Sequence, residues 1–415
     1  MRRVARPLPM LLVAGAALAL AVPSARPTAQ RPESVQRGLG VVLENRSYRP
    51  GDVAQLELWD EAGSVRIQLF QAGPEQSRSR AKDKMAGVPR GDPVVVNHPG
   101  STVALRLGRW VPGLYFARVV TSDGRVGYAP FVLRPARLGT YRVAVVLPTN
   151  TWQAYNLLDV NGDGVGDSWY ADPSIHVVDL RRPYVDHGVP RWYGSYNSGF
   201  VHWLAHSGYA AEILSDDDLD AIRSGARLAS LYDLIVFAGH EEYVTPHVYD
   251  IVTRYRDLGG NLAFLSANSF FYRVEHHGHV LIGRERWRDL GRPEARLVGI
   301  QYVDWSGNLY PNAPYVVSSV GSAPWLFRET GLRNGSHFGR YGIEIDARAP
   351  ESPRGLRVLA RVPDIFGPGK TAEMTYYTRG RAKVFAAGTL NFGGSAELPV
   401  ASRMLHNLWE RLSLG

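Results

Sequence analysis

Gly239-His240-Glu241-Glu242-Tyr243 puts an imidazole and two carboxylates directly behind an apolar run, and Asn268 stands in the same place behind the next run. A histidine moves protons near neutral pH, a carboxylate holds a cation, and a carboxamide donates to a developing oxyanion. Such a set suits hydrolysis or metal binding at the carboxyl edge of a parallel sheet, where open α/β sheets bind their ligands. Zinc-protease chemistry is not expected, because no second histidine falls four residues after His240. The chain also has no cysteine, which removes disulfides, cysteine-ligated zinc and thiol nucleophiles.

Further groups compete for attention. Trp152-Gln153-Ala154-Tyr155-Asn156 follows an earlier strand and is too aromatic and amide-rich for a plain solvent loop, so it reads as a functional rim. Asp159, Asn161, Asp163 and Asp167 occupy positions 1, 3, 5 and 9 of a calcium-type loop with Gly164 at position 6, but Tyr170 stands at position 12 where a bidentate glutamate belongs. Structural calcium and an unmetallated Asp/Gly turn are equally open there. The acid run Ser215-Asp216-Asp217-Asp218 reads as a helix cap, and His276, His277 and His279 as decoration of a solvent loop. Each main candidate has a plainer reading too: His240 as a helix cap, Asn268 as a turn residue, Tyr155 as core.

The elements that must position these groups follow from periodicity. Residues 234–238 are a short apolar run that reads as a buried parallel strand, and 261–267 read as a second buried strand. Between them Thr245 caps a helix, Pro246 suits its first turn, apolar residues recur from Val248 to Leu258, and Gly259-Gly260 ends it. A right-handed βαβ unit leaves both strand ends on one edge. Residues 141–147 supply the first strand of this α/β domain, which runs over 140–415. Strands at 373–377 and 382–387, antiparallel to each other, extend the sheet, and a helix at 398–412 closes it. Residues 39–136 alternate like an immunoglobulin-like β-sandwich. There Trp59, Trp110 and Tyr115 could bind carbohydrate but fit a core or domain interface better.

The 415 residues carry a formal charge of +8, mostly from dispersed arginine, with 45% hydrophobic and 21% charged residues. That composition suits a folded protein with a solvated basic surface and argues against nucleic acid as partner. At the N-terminus Arg2, Arg3 and Arg6 precede an apolar stretch over 10–22, and small residues follow at Ser24 and Ala25. Residues 1–29 therefore read as a signal peptide, and the expected location is secreted or periplasmic, with no membrane span left after its removal.

Six segments in order carry a family resemblance: Tyr128-Ala-Pro-Phe131, Trp152-Gln-Ala-Tyr155-Asn156, Arg182-Pro183-Tyr184, Gly239-His240-Glu241-Glu242-Tyr243, Asn261 through Asn268, and Gly388-Thr-Leu-Asn391. Together they resemble the N,N-dimethylformamidase large (beta) subunit family. The resemblance implies an α/β domain similar to the class I glutamine-amidotransferase fold, and an amidohydrolase whose mononuclear iron, as Fe3+, is held by two tyrosinates and a glutamate. Carried over, it implies Tyr155, Tyr170 and Glu242 as iron ligands, with Tyr184 as the alternative second tyrosine, and His240 and Asn268 as catalytic neighbours. Glu373 falls at the family's late acidic position. Hard anionic oxygen donors favour ferric iron on chemical grounds as well. The expected substrate is a small amide-containing molecule, with self-assembly left open. The competing class is a carbohydrate- or partner-binding protein that kept the scaffold without the chemistry.

Overall fold

The computed structural model describes residues 37–172, 174–307 and 311–413. The expected signal peptide at 1–29 lies outside them. No helix among the described residues is long and apolar enough to cross a membrane.

The N-terminal part is a pair of facing sheets. Strands Ser47–Tyr48, Val126–Leu133, Gly113–Thr121, Ser64–Gln71 and Val88–Asn97 form one, and Val41–Leu43, Val53–Leu58 and Thr102–Arg106 form the other. Alternate residues of Ser64–Gln71 point inward, so Val65, Ile67 and Leu69 meet Leu56, Val119 and Phe131 in the core. Tyr115 is fully buried and Trp110 stacks on it at 5.6 Å. Those two aromatics are core, while Trp59 stays exposed.

A nine-stranded sheet organises the rest. Its members in chain order are β1 (Val143–Val146), β2 (Glu212–Leu214), β3 (Leu234–Phe237), β4 (Asn261–Phe264), β5 (Asn312–Val317), β6 (His337–Gly342), β7 (Arg357–Val362), β8 (Ala372–Arg379) and β9 (Ala382–Ala386). Their spatial order is β2-β1-β3-β4-β9-β8-β7-β5-β6. The first five in that order pair in parallel and the remainder antiparallel. The molecule is thus mixed α/β. As expected, β8 and β9 pair antiparallel to each other, but β9 also joins β4 in parallel. Register matters for the site: Phe237 lies opposite Val146 on one side and Phe264 on the other, so three chain segments leave the sheet side by side.

Helix Pro246–Asp257 begins as its sequence dictates, with Thr245 Oγ1 accepting from the Val248 amide and Pro246 in the first turn. It buries Val248, Val252 and Tyr255 on one face of the sheet. Helices Ser198–His206 and Pro399–Leu412 cover the other face through Phe200, Trp203, Leu405 and Leu408. Sandwich and α/β layer are not independent, because Phe116, Tyr128 and Val132 share a core with Trp152, Tyr193 and Phe200. Ion pairs cross the same boundary, among them Arg46 with Asp217, Arg78 with Glu397, and Arg134 Nε with Asp218 Oδ1 at 2.9 Å.

The histidine cluster does not lie in a loop. Tyr272–His277 and Val280–Arg286 form a hairpin, with His276 turned toward Asp217 and Asp220 and only His277 and His279 exposed. A tight turn at Gly278-His279 left the flanking strands too short and polar for strand periodicity to show.

Candidate active site

Beyond β3 the chain runs past Gly239 and presents His240, Glu241 and Glu242 in buried positions. Gly239 is required by space: a Cβ there would fall 1.9 Å from Nδ2 of Asn197. Beyond β4 the chain turns at Asn268 and Phe270, whose φ angles are 54° and 59°. Left-handed backbone at a phenylalanine is costly and persists only when its surroundings impose it. Here the imposition is a hydrogen-bonded zipper, in which the amides of Phe270, Phe271 and Tyr272 donate to the carbonyls of Glu241 and Glu242. Beyond β1 the short helix Thr149–Ala154 carries Tyr155 at its end, and Thr151 Oγ1 accepts from the Glu242 amide at 3.1 Å.

These segments meet. Nδ2 of Asn268 donates to Glu242 Oε1 at 3.1 Å, and His240 Nε2 lies 3.4 Å from Glu242 Oε2. The Tyr155 ring sits 5.5 Å from the His240 ring and 5.2 Å from that of Tyr170, and its phenol is within electrostatic reach of Glu242. The structure therefore gathers Tyr155, Tyr170, His240, Glu242 and Asn268 in one place. Tyr184 is not there: it is buried in the core shared with the sandwich, within electrostatic reach of Arg46 and Arg182.

Glu373 is not there either. On β8 its carboxylate accepts from Arg361 Nε at 3.1 Å and from the Arg348 amide at 3.1 Å. In its stead the structure brings in Glu344, which the sequence reading missed. Its Oε2 lies 3.4 Å from His240 Nε2, so the imidazole stands between two carboxylates. Glu344 opens the strand Glu344–Ala347, paired with Gln301–Trp305, and follows Ile343 at φ 73°. Two residues on, buried Asp346 accepts from the Asn268 amide at 2.8 Å and ties the turn in place. Acids at alternating positions in an otherwise apolar segment, Ile343-Glu344-Ile345-Asp346, were the signal available.

The electrostatics are unbalanced. Burial raises the Glu242 carboxyl, and burial together with Glu242 raises Glu344. Burial and the two carboxylates push the Tyr155 phenol well above its ordinary range, while burial drops the His240 imidazole to about 3. Glu242 Oε2, Glu344 Oε2, His240 Nε2 and Asn268 Oδ1 are all buried without a hydrogen-bond partner. Two facing carboxylates in low dielectric are costly unless a proton or a cation compensates them. Among the described residues no group of three or more His, Asp or Glu side chains is placed to hold an ion. A cation here must draw on the phenols, and a set of two tyrosines and a glutamate fits a hard, highly charged ion.

The calcium-type loop has a different character. Asp159 accepts from the amides of Gly162 and Gly164, Asn161 from Asp163, Asp163 from Val165, and Asp167 from Val160. Its side-chain oxygens close turns of its own backbone.

A family model described as N,N-dimethylformamidase beta subunit-like, C-terminal, matches residues 102–404, a span that includes every residue of this site. The chain belongs to the N,N-dimethylformamidase beta subunit-like family. No curated protein matches it. Solved structures with a partial likeness include the mmIFT52 N-terminal domain, at 12% identity and TM-score 0.32 over 50% of this chain and 86% of that one. A superoxide reductase (neelaredoxin) from Ignicoccus hospitalis follows at 9% identity and TM-score 0.17, over 23% of this chain and 79% of that one. A Paenibacillus sp. cycloisomaltooligosaccharide glucanotransferase gives 9% identity and TM-score 0.16, over 44% and 27%. Likenesses this slight bear on nothing further.

Proposed function

We propose that this member of the dimethylformamidase-like hydrolases cleaves the amide C–N bond of a small molecule, with a mononuclear ferric ion held by Tyr155, Tyr170 and Glu242. The reading rests above all on the buried, uncompensated pair Glu242 and Glu344 on either side of His240. Bound there, the ion would supply Lewis acidity toward an amide carbonyl and a water molecule. The chain's own residues supply the rest. His240, neutral in its buried setting, can take a proton at Nε2 and return it to the departing amine. Glu344 lies as near that same nitrogen as Glu242 does, at 3.4 Å, and can hold the imidazolium while it is charged. Asn268 donates one N–H of its carboxamide to Glu242 and can offer the other to a developing oxyanion. A purely binding role leaves the two buried acids without a physical reason. Calcium has no part in the reaction. Likeness of the α/β part to the glutamine-amidotransferase fold, and export directed by residues 1–29, complete the reading.

Elemental analysis of wild type and Glu242→Gln is the test. The substitution keeps the shape and removes the one carboxylate ligand, so iron and amide hydrolysis should both disappear. Tyr155→Phe should weaken a tyrosinate-to-iron charge-transfer absorption. Equal iron in wild type and Glu242→Gln sinks the assignment.

A further inference from the structure

Two arginines flank the site in matching ways. On one side Arg191 lies over the Tyr170 ring at 5.4 Å and the Trp192 ring at 4.8 Å, and Tyr170 in turn stacks on Tyr155. On the other side Arg284 lies 5.1 Å over the Tyr272 ring, which stacks on Tyr243 at 5.3 Å, next to Tyr155 at 6.3 Å. Each guanidinium is one aromatic layer away from the innermost rings. Both are half-buried, and neither meets a carboxylate within ion-pair distance among the described residues. The Nε of Arg191 is buried and has no acceptor at all, whereas Arg284 spends one N–H on the Trp169 carbonyl at 2.7 Å.

The ring faces hold each guanidinium flat, and the attraction of a cation to an aromatic face keeps it there without an anion. A planar guanidinium held in advance is a receptor for a carboxylate, which it can bind through two parallel hydrogen bonds at little further entropic cost. A buried donor without an acceptor is unfavourable in the free protein and satisfied only when something supplies the acceptor. Glu242 feels the charge of Arg284, but no carboxylate of the site comes within ion-pair distance of either guanidinium, so a directly bonded carboxylate has to come from a bound molecule.

Building on the amidase reading above, we propose that the substrate is an amide that also bears a carboxylate, of the N-acyl amino acid kind, with Arg191 and Arg284 as the residues that select for it. The amide enters the space before His240 and Glu344 while the carboxylate stays at the arginine rim.

The test compares N-acetylglycine and larger N-acetyl amino acids with neutral analogues in which a methyl group replaces the carboxylate, such as N-ethylacetamide for N-acetylglycine. Binding to the metal-loaded wild type is measured by titration calorimetry, and turnover by amine release. At least one carboxylate compound should bind ten-fold or more tightly than its neutral partner. Arg191→Gln and Arg284→Gln should each shrink that ratio several-fold, acting on KM rather than kcat, with Arg→Lys restoring part of it. If no carboxylate compound outbinds its neutral analogue, or if neither arginine substitution alters the ratio, the inference is overturned. Arginine-dependent binding without turnover would leave it standing and sink the amidase reading, while turnover of neutral amides without preference would do the reverse.

Discussion

Glu344 and Glu373 make a controlled pair at the scale of the residue, because both are largely enclosed acids late in the chain and only one faces His240. Glu344→Gln should keep the proposed iron and lower kcat by about 10²–10⁴, the usual span for losing assistance to a proton transfer. Metal-free Glu344→Gln should be no less stable than wild type, since one of two facing carboxylates is gone. Glu373→Gln should leave kcat near wild type and reduce stability, because Arg361 would lose its charged partner. A large kcat loss in the second variant with none in the first would reverse the roles. His240, Glu242, Asn268 and Tyr155 were legible because each ends a recognisable strand or opens a polar rim. Glu344 was not, because its short strand belongs to a separate two-stranded sheet and its acid follows a strained isoleucine. Nothing in local periodicity tells which of several late acids the fold carries to the site.

At the scale of elements, the hairpin of Tyr272–His277 and Val280–Arg286 forms a wall of the site through Tyr272 and Arg284, and it is anchored at its far end by His276. The Asp220 carboxylate, 3.9 Å from His276 Nδ1, raises the His276 pKa above its ordinary value, with burial opposing, Asp217 adding to the rise and Arg46 opposing it. A group whose folded pKa is raised stabilises fully below its unfolded pKa, about 6.5, and that contribution fades as pH climbs through the folded value. Urea unfolding of wild type and His276→Gln should therefore differ most near pH 6 and converge toward pH 9. A gap that widens with pH contradicts the assignment. Helix Pro246–Asp257 was legible to its cap, because Thr-Pro starts and Gly-Gly stops are local chemistry. The hairpin was hidden because Val274 and Leu281 alone of its strands are buried and most other positions are polar, and what orders it is a pairing with residues far away in sequence.

On the scale of the whole molecule, Arg46 is the residue that binds the two layers into one object. From the sandwich it donates to Asp217 Oδ2 at 2.9 Å and to Asn150 Oδ1 at 2.9 Å, and Asn150 in turn donates to the Tyr243 carbonyl beside the site. Replacing it by methionine should cost roughly 2 kcal/mol, below the usual 3–5 for stripping one partner from a buried pair, because a third of Asp217 remains in solvent. Urea unfolding would measure it, and an unchanged midpoint would mean the contact is incidental. The sequence resemblance that defines the family begins at residue 102, inside the sandwich and well after Arg46. A gene trimmed to that line would encode every side chain of the site, yet it would lose the strands from Val41–Leu43 through Val88–Asn97, bare the inner face of Gly113–Thr121 and Val126–Leu133, and leave Asp217 without Arg46. The start of the matched span is therefore no border for the folded protein, and a library or fusion cut there should yield insoluble material with every residue of the candidate site still encoded.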